Sequence, residues 1–193
     1  MFSRLAAAFG WSKQDARVLV VGLDNSGKTT IINSLNPSKS TSAEVVPTVG
    51  FQVEEFTKSN VNLTVFDMSG QSRYRSLWEH YYLEVQAIIF VLDSADRVRM
   101  CVAKDELCSL LGHREFQGRP IPILFYANKM DLPGAMEPVE IVEELELHTI
   151  ENQPWHIMHT DALSGTGIEE GLRWLVDAVT HDGRSRSGKG TRK

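Results

Sequence analysis

Apolar residues follow two rhythms along this chain. Continuous runs at residues 18–21, 87–92 and 121–127 are rich in Val, Ile, Leu and Phe, the content of strands buried on both faces. Residues 155–160 read as a last strand, and residues 52–56 and 61–66 as a strand pair joined by a Lys58-Ser59-Asn60 turn. Pro122 falls near the start of its strand, where a missing N–H is tolerated. Elsewhere the spacing is helical. Ile31, Ile32 and Leu35 form one such set, closed by Pro37. Leu77, Trp78, Tyr81 and Tyr82 form a second, and Val98, Cys101, Val102, Leu107, Leu110 and Leu111 a third. Ile168, Leu172, Leu175, Val176 and Val179, with Trp174, make a closing helix. Residues 38–46 are polar without period and read as a loop. Strands alternating with helices predict an α/β fold. It is a mostly parallel six-stranded sheet with one antiparallel edge pair and helices on both faces.

Composition adds boundaries to this pattern. At 193 residues, 42% hydrophobic and 23% charged, the chain has the make-up of one globular domain with a sizeable core. No apolar run approaches the roughly 20 residues that span a bilayer, and the N-terminus carries no secretory h-region with a cleavage site. The net charge of −5 is uneven: residues 183–193 carry +5 (Arg184, Arg186, Lys189, Arg192, Lys193) and no acid, which leaves −10 on the rest. An acidic body argues against a nucleic-acid partner. The division expected is an amphipathic helix at 1–16, a domain at 17–182 and a disordered basic tail at 183–193. The tail serves solubility or touches anionic lipid. In the first segment Phe2, Leu5, Ala6 and Phe9 fall on one helix face. That face suits a membrane surface or a groove on the protein's own body, in turn if the protein is a switch. Phe2 stands where myristoylation needs glycine. Cys101 and Cys108, about 10.5 Å apart along one helix, are too far apart to bridge and read as packing thiols in a reducing compartment.

The chemistry starts at Gly22-Leu23-Asp24-Asn25-Ser26-Gly27-Lys28-Thr29-Thr30, which matches the phosphate-binding loop G-x-x-x-x-G-K-[ST] between a strand and a helix. Gly22 and Gly27 let the backbone turn its N–H groups toward a phosphate. Lys28 brings a cation to the β- and γ-phosphates, and Thr29 offers a hydroxyl to Mg²⁺. The following helix adds its N-terminal dipole. Thr48, in Pro47-Thr48-Val49-Gly50-Phe51, is a second hydroxyl for the metal. Asp67 follows a strand, where phosphate-binding folds place their magnesium carboxylate. In Met68-Ser69-Gly70-Gln71, Gly70 offers a backbone N–H to the γ-phosphate and Gln71 orients a water. Asn128-Lys129-Met130-Asp131 follows a buried strand. Asp131 accepts from guanine N1–H and the exocyclic amine, a donor pair that adenine lacks, and Ala162 offers its N–H to guanine O6.

With these segments in this order, residues 17–180 resemble a Ras-like small GTPase. Within that superfamily the chain looks like the Arf/Arf-like branch, on Gly22-Leu23-Asp24, Pro47-Thr48-Val49-Gly50-Phe51, Leu77-Trp78-Glu79-His80-Tyr81-Tyr82 and the amphipathic N-terminus. Phe66-Asp67-Met68-Ser69-Gly70-Gln71 and Trp78-Glu79-His80-Tyr81-Tyr82 are similar to the ciliary Arf-like subtype linked to Bardet–Biedl syndrome. That resemblance implies a GTP/GDP switch with Mg²⁺ as cofactor. Asp24, Asn25, Ser26, Gly27, Lys28, Thr29 and Thr30 line the nucleotide phosphates, Thr29 and Thr48 ligate the metal, and Asp67 sits behind a water. Gln71, Lys28 and Gly70 act in hydrolysis. Phe51, Phe66 and Tyr81 meet an effector, the BBSome coat in that subtype. An exchange factor, an activating protein and a peripheral place on a cytoplasmic membrane surface at the cilium or its base are also implied. In the GDP state the N-terminal helix occupies a groove, and in the GTP state the 52–66 hairpin shifts by about two residues and expels it. Asp24, where Ras has glycine, is expected to crowd the γ-phosphate, and no arginine stands out as acting in cis. Intrinsic hydrolysis is then slow, with about 10³–10⁵-fold waiting on a partner's arginine. Ser69 and Phe66 depart from the usual glycine and tryptophan of the branch, which implies a stiffer second switch and altered partner choice. A nucleotide-bound scaffold that never cycles, or a switch in another vesicle step, shares the same binding residues.

Overall fold

The apolar runs become the inner strands of one sheet. The structure, a computed structural model, describes residues 14–36, 46–58 and 60–187. Among the described residues six strands are present: β1 (Gln14–Val21), β2 (Phe51–Lys58), β3 (Val61–Met68), β4 (Ala87–Asp93), β5 (Ile123–Asn128) and β6 (Trp155–His159). Their order is β2-β3-β1-β4-β5-β6. Only β2 and β3 are antiparallel, and every other pair is parallel. Four α-helices accompany them among the described residues: α1 (Lys28–Leu35), α2 (Met100–Gly112), α3 (Pro138–Glu144) and α4 (Ile168–Ser187).

Strand alternation sorts the core into two layers. Leu19, Val21, Ile88, Phe90, Leu92, Ile123, Phe125 and Ala127 face α2 and α3. Val18, Val20, Ala87, Ile89, Val91, Leu124 and Tyr126 face α1 and α4, meeting Ile31, Ile32, Leu35, Leu172 and Leu175. A strand covered on both sides has no polar face, which is why its sequence shows no alternation. Parallel strands put their carboxyl ends, and the loops that follow, on one edge of the sheet, where such folds bind ligands.

Several boundaries differ from the sequence expectation. Residues 14–16, read as the end of an N-terminal helix, are the start of β1. Gln14, Asp15 and Ala16 pair with Val61, Asn62 and Leu63 of β3, and Asn62 Nδ2 donates to Asp15 Oδ1 at 2.8 Å. Pairing with β3 satisfies backbone groups that a helix end would leave open. The remainder of that amphipathic segment, residues 1–13, lies outside the described residues, as do most of the 38–46 loop and Ser59. β5 begins after Pro122, whose carbonyl still accepts from the Ile88 N–H at 2.9 Å. α1 stops at Leu35, with Asn36 extended, as the residue before a proline prefers. α4 runs through Ser187, five residues into the segment read as a disordered tail; no proline interrupts it, and extending a formed helix is cheap. Residues 188–193 lie outside the described residues.

The third helical set holds in part: Leu107 and Leu110 are buried and Val102 and Leu111 pack partly buried against the core, whereas Val98 and Cys101 do not. The buried side of α2 is Met100, Ala103, Leu107 and Leu110, while Val98 is exposed. Cys101 and Cys108 are both exposed, so they are not packing thiols. Positions i, i+3, i+7 and i+10 share one stripe, and residues 101 and 108 fall together outside it. α3 went unpredicted. Its only buried residue is Ile141, yet it carries Pro138 in its first turn and a capping box from Glu137 and Glu140. Residues Ser72–Tyr81 are 3₁₀ helix rather than α-helix; Trp78 is its buried anchor, with Nε1 donating to the Ser69 carbonyl at 3.1 Å.

Candidate functional site

The phosphate loop leaves the carboxyl end of β1 between β3 and β4. Gly22 has φ 135°, and a Cβ there would lie 2.1 Å from the Val91 carbonyl oxygen, so only glycine permits this exit. Asn25 takes a left-handed φ of 63°. Gly27 caps α1 with no side-chain bond to the helix's first N–H groups, which leaves those donors for an anion. Ser26 is buried beneath them and Thr30 half-buried. Together Asp24, Asn25, Gly27, Lys28, Thr29 and Thr30 form one wall of a cleft of about 380 Å³, closed opposite by Thr48, Ser69, Gly70 and Gln71.

Lys28 is 6% exposed, and its Nζ donates to the carbonyls of Gly22 at 3.0 Å and Leu23 at 2.8 Å. Burial lowers its pKa from the usual 10.5 to about 8, against the pull of Asp67 and Asp24. A bound polyphosphate reverses that shift by favouring the ammonium. Nucleotide binding is therefore strongest below pH 8. It weakens as pH rises through the free-state pKa, with proton uptake approaching about one per site. Calorimetry at pH 9 in buffers of different ionisation enthalpy measures this, and no uptake would mean that Lys28 stays charged in the free protein.

Three hard oxygens converge beside the loop. Thr29 Oγ1 donates to Asp67 Oδ2 at 2.6 Å and lies 3.0 Å from Thr48 Oγ1. Asp67 and Thr48 are both buried. Two hydroxyls and a carboxylate in this arrangement suit Mg²⁺, which takes oxygen ligands and keeps several waters.

The second closing segment touches the loop directly. A Cβ on Gly70 would lie 2.2 Å from the Asp24 nitrogen and 2.3 Å from the Leu23 carbonyl carbon. Ser69 ties this segment down: its N–H donates to the Gly50 carbonyl at 2.9 Å, and its Oγ accepts from the Gln71 N–H at 3.4 Å. The Gln71 carboxamide oxygen accepts from Arg73 Nε at 3.1 Å. Asp24 is held by arginines on both sides, with Oδ2 3.3 Å from Arg99 Nη1 and Oδ1 3.7 Å from Arg75 Nη2.

The base end is built by the loops after β5 and β6. Asn128 Nδ2 donates to the Ser26 carbonyl at 2.8 Å, linking the two ends of the site. Its Oδ1 accepts from the Thr160 hydroxyl at 3.3 Å and from the Ala162 N–H at 3.1 Å. The sequence aims that Ala162 N–H at guanine O6. Here the buried N–H is already bonded to Asn128, so a contact with the base must share it. Lys129 takes φ 65° and its Nζ pairs with Asp93 at 2.7 Å. Asp131 is exposed at the mouth of this loop.

The profile of the ADP-ribosylation factor family matches residues 1–179. The chain belongs to the ADP-ribosylation factor family. ADP-ribosylation factor-like protein 6 of Danio rerio is 54% identical over 179 residues, covering 93% of this chain and 96% of the relative. The Caenorhabditis elegans protein of the same name is 45% identical over 185 residues, covering 96% and 97%. Among solved structures, that of the Arl6 BBS3 small GTPase from Trypanosoma brucei with bound nucleotide analogue GppNp has a TM-score of 0.81 and 43% identity; the match covers 87% of this chain and 99% of that one. This member of the family is thus an Arf-like GTPase that binds guanine nucleotide and hydrolyses GTP.

The family's fold also brings together the three aromatics singled out by sequence. The Tyr81 ring centroid lies 5.3 Å from that of Phe51 and 4.8 Å from that of Phe66. Phe51 is 42% exposed and Phe66 only 8%, so Phe66 supports the patch more than it presents it. Sequence reasoning missed Arg75, Arg99, Asp93 and Thr160. Arg99 also bonds nearby Asp96, but the contacts that tie these residues to the site, with Asp24, Glu106, Lys129 and Asn128, join distant stretches of chain, and no local spacing signals such pairs.

Proposed function

We propose that this Arf-like GTPase is a membrane-recruited switch whose GTP-bound form offers Phe51, Phe66 and Tyr81 to a coat-type effector. The likeness to ADP-ribosylation factor-like protein 6 supports the BBSome as that effector and the ciliary membrane or its base as the place. The observation that carries the reading is the continuity of the aromatic patch with both closing segments. Phe51 follows Thr48 by three residues, Phe66 precedes Asp67, and Tyr81 ends the 3₁₀ helix that starts just after Gln71. A γ-phosphate that orders Thr48 and Gly70 therefore orders the surface that a partner meets.

In the same reading the loop amides and Lys28 hold the phosphates. Thr29 and Thr48 would hold Mg²⁺, with Asp67 behind a water, and the ion would supply charge neutralisation to the phosphates. Gly70 donates to the γ-phosphate and Gln71 orients the attacking water. Asp131 reads guanine. An exchange factor and an activating protein complete the cycle. The apolar face of residues 2–9 provides the membrane contact, since no described helix is long and apolar enough to cross a membrane and a weak interfacial helix is reversible.

Flotation of the full chain on liposomes tests this. The protein with a GTP analogue floats, the GDP form stays in the aqueous fraction, and Phe9→Glu abolishes flotation without altering nucleotide affinity. Equal flotation of both nucleotide forms would refute the coupling.

A further inference from the structure

Arg75 stands out among the charged residues around the site. Its side chain is only 13% exposed, yet no single carboxylate neutralises it in bidentate fashion. Its donors are spread over three segments instead. Nε donates to the Gly70 carbonyl at 2.8 Å, Nη1 to Glu106 Oε1 of α2 at 2.9 Å, and Nη2 lies 3.7 Å from Asp24 Oδ1 on the phosphate loop. A planar guanidinium can serve three such acceptors at once, where an ammonium offers one compact charge. Arg75 does not line the nucleotide cleft, but Asp24, Gly70 and Gln71 do.

The Gly70 carbonyl belongs to the peptide that carries the Gln71 N–H. Holding it fixes the orientation of that peptide and keeps Gly70 packed on Leu23 and Asp24, where a single added carbon would lie 2.2 Å from backbone. Asp24 itself has a second support: Arg99 bonds its carbonyl at 3.3 Å and its carboxylate at 3.3 Å, and Arg99 is anchored to Asp96 at 2.6 Å. The two arginines therefore divide the work. Arg99 ties Asp24 of the phosphate loop to Asp96, whereas Arg75 bridges that loop to Gly70 and to Glu106 of α2.

We propose that Arg75 is a positioning residue that docks the Ser69–Gln71 segment onto the phosphate loop, and so sets the preference for a nucleoside triphosphate over a diphosphate and the placement of Gln71. This rests on the nucleotide-switch reading above. A diphosphate makes no contact at Gly70, so loss of Arg75 is felt by the triphosphate alone.

The test uses the full chain with Arg75→Ala, Arg75→Lys, Glu106→Gln and Arg99→Ala. Affinities for GDP and a non-hydrolysable GTP analogue are read by competition with a fluorescent guanine nucleotide, and GTP hydrolysis in single turnover. Arg75→Ala is expected to weaken the triphosphate analogue about tenfold, the scale of a lost charge-assisted hydrogen bond, with GDP affinity held within about twofold and hydrolysis slowed. Arg75→Lys and Glu106→Gln shift the ratio in the same direction by less, and carry the test if Arg75→Ala does not fold. Arg99→Ala weakens both nucleotides together. An unchanged affinity ratio in all the Arg75 and Glu106 variants, or equal loss of both nucleotides, would overturn the assignment. Failure of the unaltered chain to bind GDP or the analogue would instead overturn the switch reading on which it stands.

Discussion

Leucine at position 71 is expected to reduce GTP hydrolysis about 10²–10³-fold in single turnover with an activating protein present, the scale of losing one positioned polar group from a transition state. Nucleotide affinity stays within about twofold, because the leucine removes an interaction made only during reaction. The geometry makes the case specific. Gln71 lies at the mouth of the cleft, directly after Gly70, whose backbone is pressed onto the phosphate loop. Its carboxamide oxygen is bonded to Arg73 Nε at 3.1 Å, so the side chain must share or exchange that bond to orient a water. That exchange is one reason to expect slow unassisted turnover. On the proposed reading, an activating protein would have two tasks: to free Gln71 and to bring a positive charge to the transition state. The measurement is phosphate release after one turnover. A Gln71→Leu protein that hydrolyses GTP at the normal rate with its activator would remove Gln71 from the mechanism.

The second large effect is on base specificity. Asp131→Asn is expected to lower affinity for GTP about 10³–10⁴-fold and to raise affinity for xanthosine triphosphate. A carboxylate accepts from both guanine N1–H and the exocyclic amine, whereas a carboxamide turns one acceptor into a donor that faces the amine. Unmatched polar groups of this kind cost far more than a missing apolar contact. Xanthine carries a carbonyl where guanine has its amine, which restores the match. The frame behind Asp131 is rigid enough to deliver the full penalty. The Met130 N–H donates to the Thr160 carbonyl at 3.1 Å, Lys129 is pinned to Asp93, and Asn128 reaches the Ser26 carbonyl across the site. Competition binding with guanine and xanthine nucleotides measures both arms. Retained guanine preference in the variant would mean that Asp131 does not read the base.

Both predictions concern residues that the sequence singles out, and the reason is physical. A phosphate loop works through consecutive backbone N–H groups, so its glycines, lysine and threonine must be adjacent in the chain. The Asn128–Asp131 segment follows a buried apolar strand because the sheet's carboxyl edge is where such loops emerge. The inner strands announced themselves by unbroken apolar runs, a consequence of cover on both faces.

What escaped was set by contacts between distant segments. The exposure of Cys101 and Cys108 followed from the phase of α2, and the choice of Met100, Ala103, Leu107 and Leu110 as its buried stripe depends on which strand residues it meets. The Ala162 N–H turned to Asn128 because the loops after β5 and β6 are laced together across the parallel pair, with Thr160 donating to the Ala127 carbonyl at 2.8 Å. Sequence alone determined the sheet, the order of the chemistry-bearing loops and the class of ligand, since periodicity and turn chemistry act over a few residues. Only the tertiary structure decided how Arg75, Arg99 and Glu106 close around Asp24 and Gly70. Long side chains pair by proximity in space, and proximity between segments that meet only at the sheet's edge leaves no mark on local sequence.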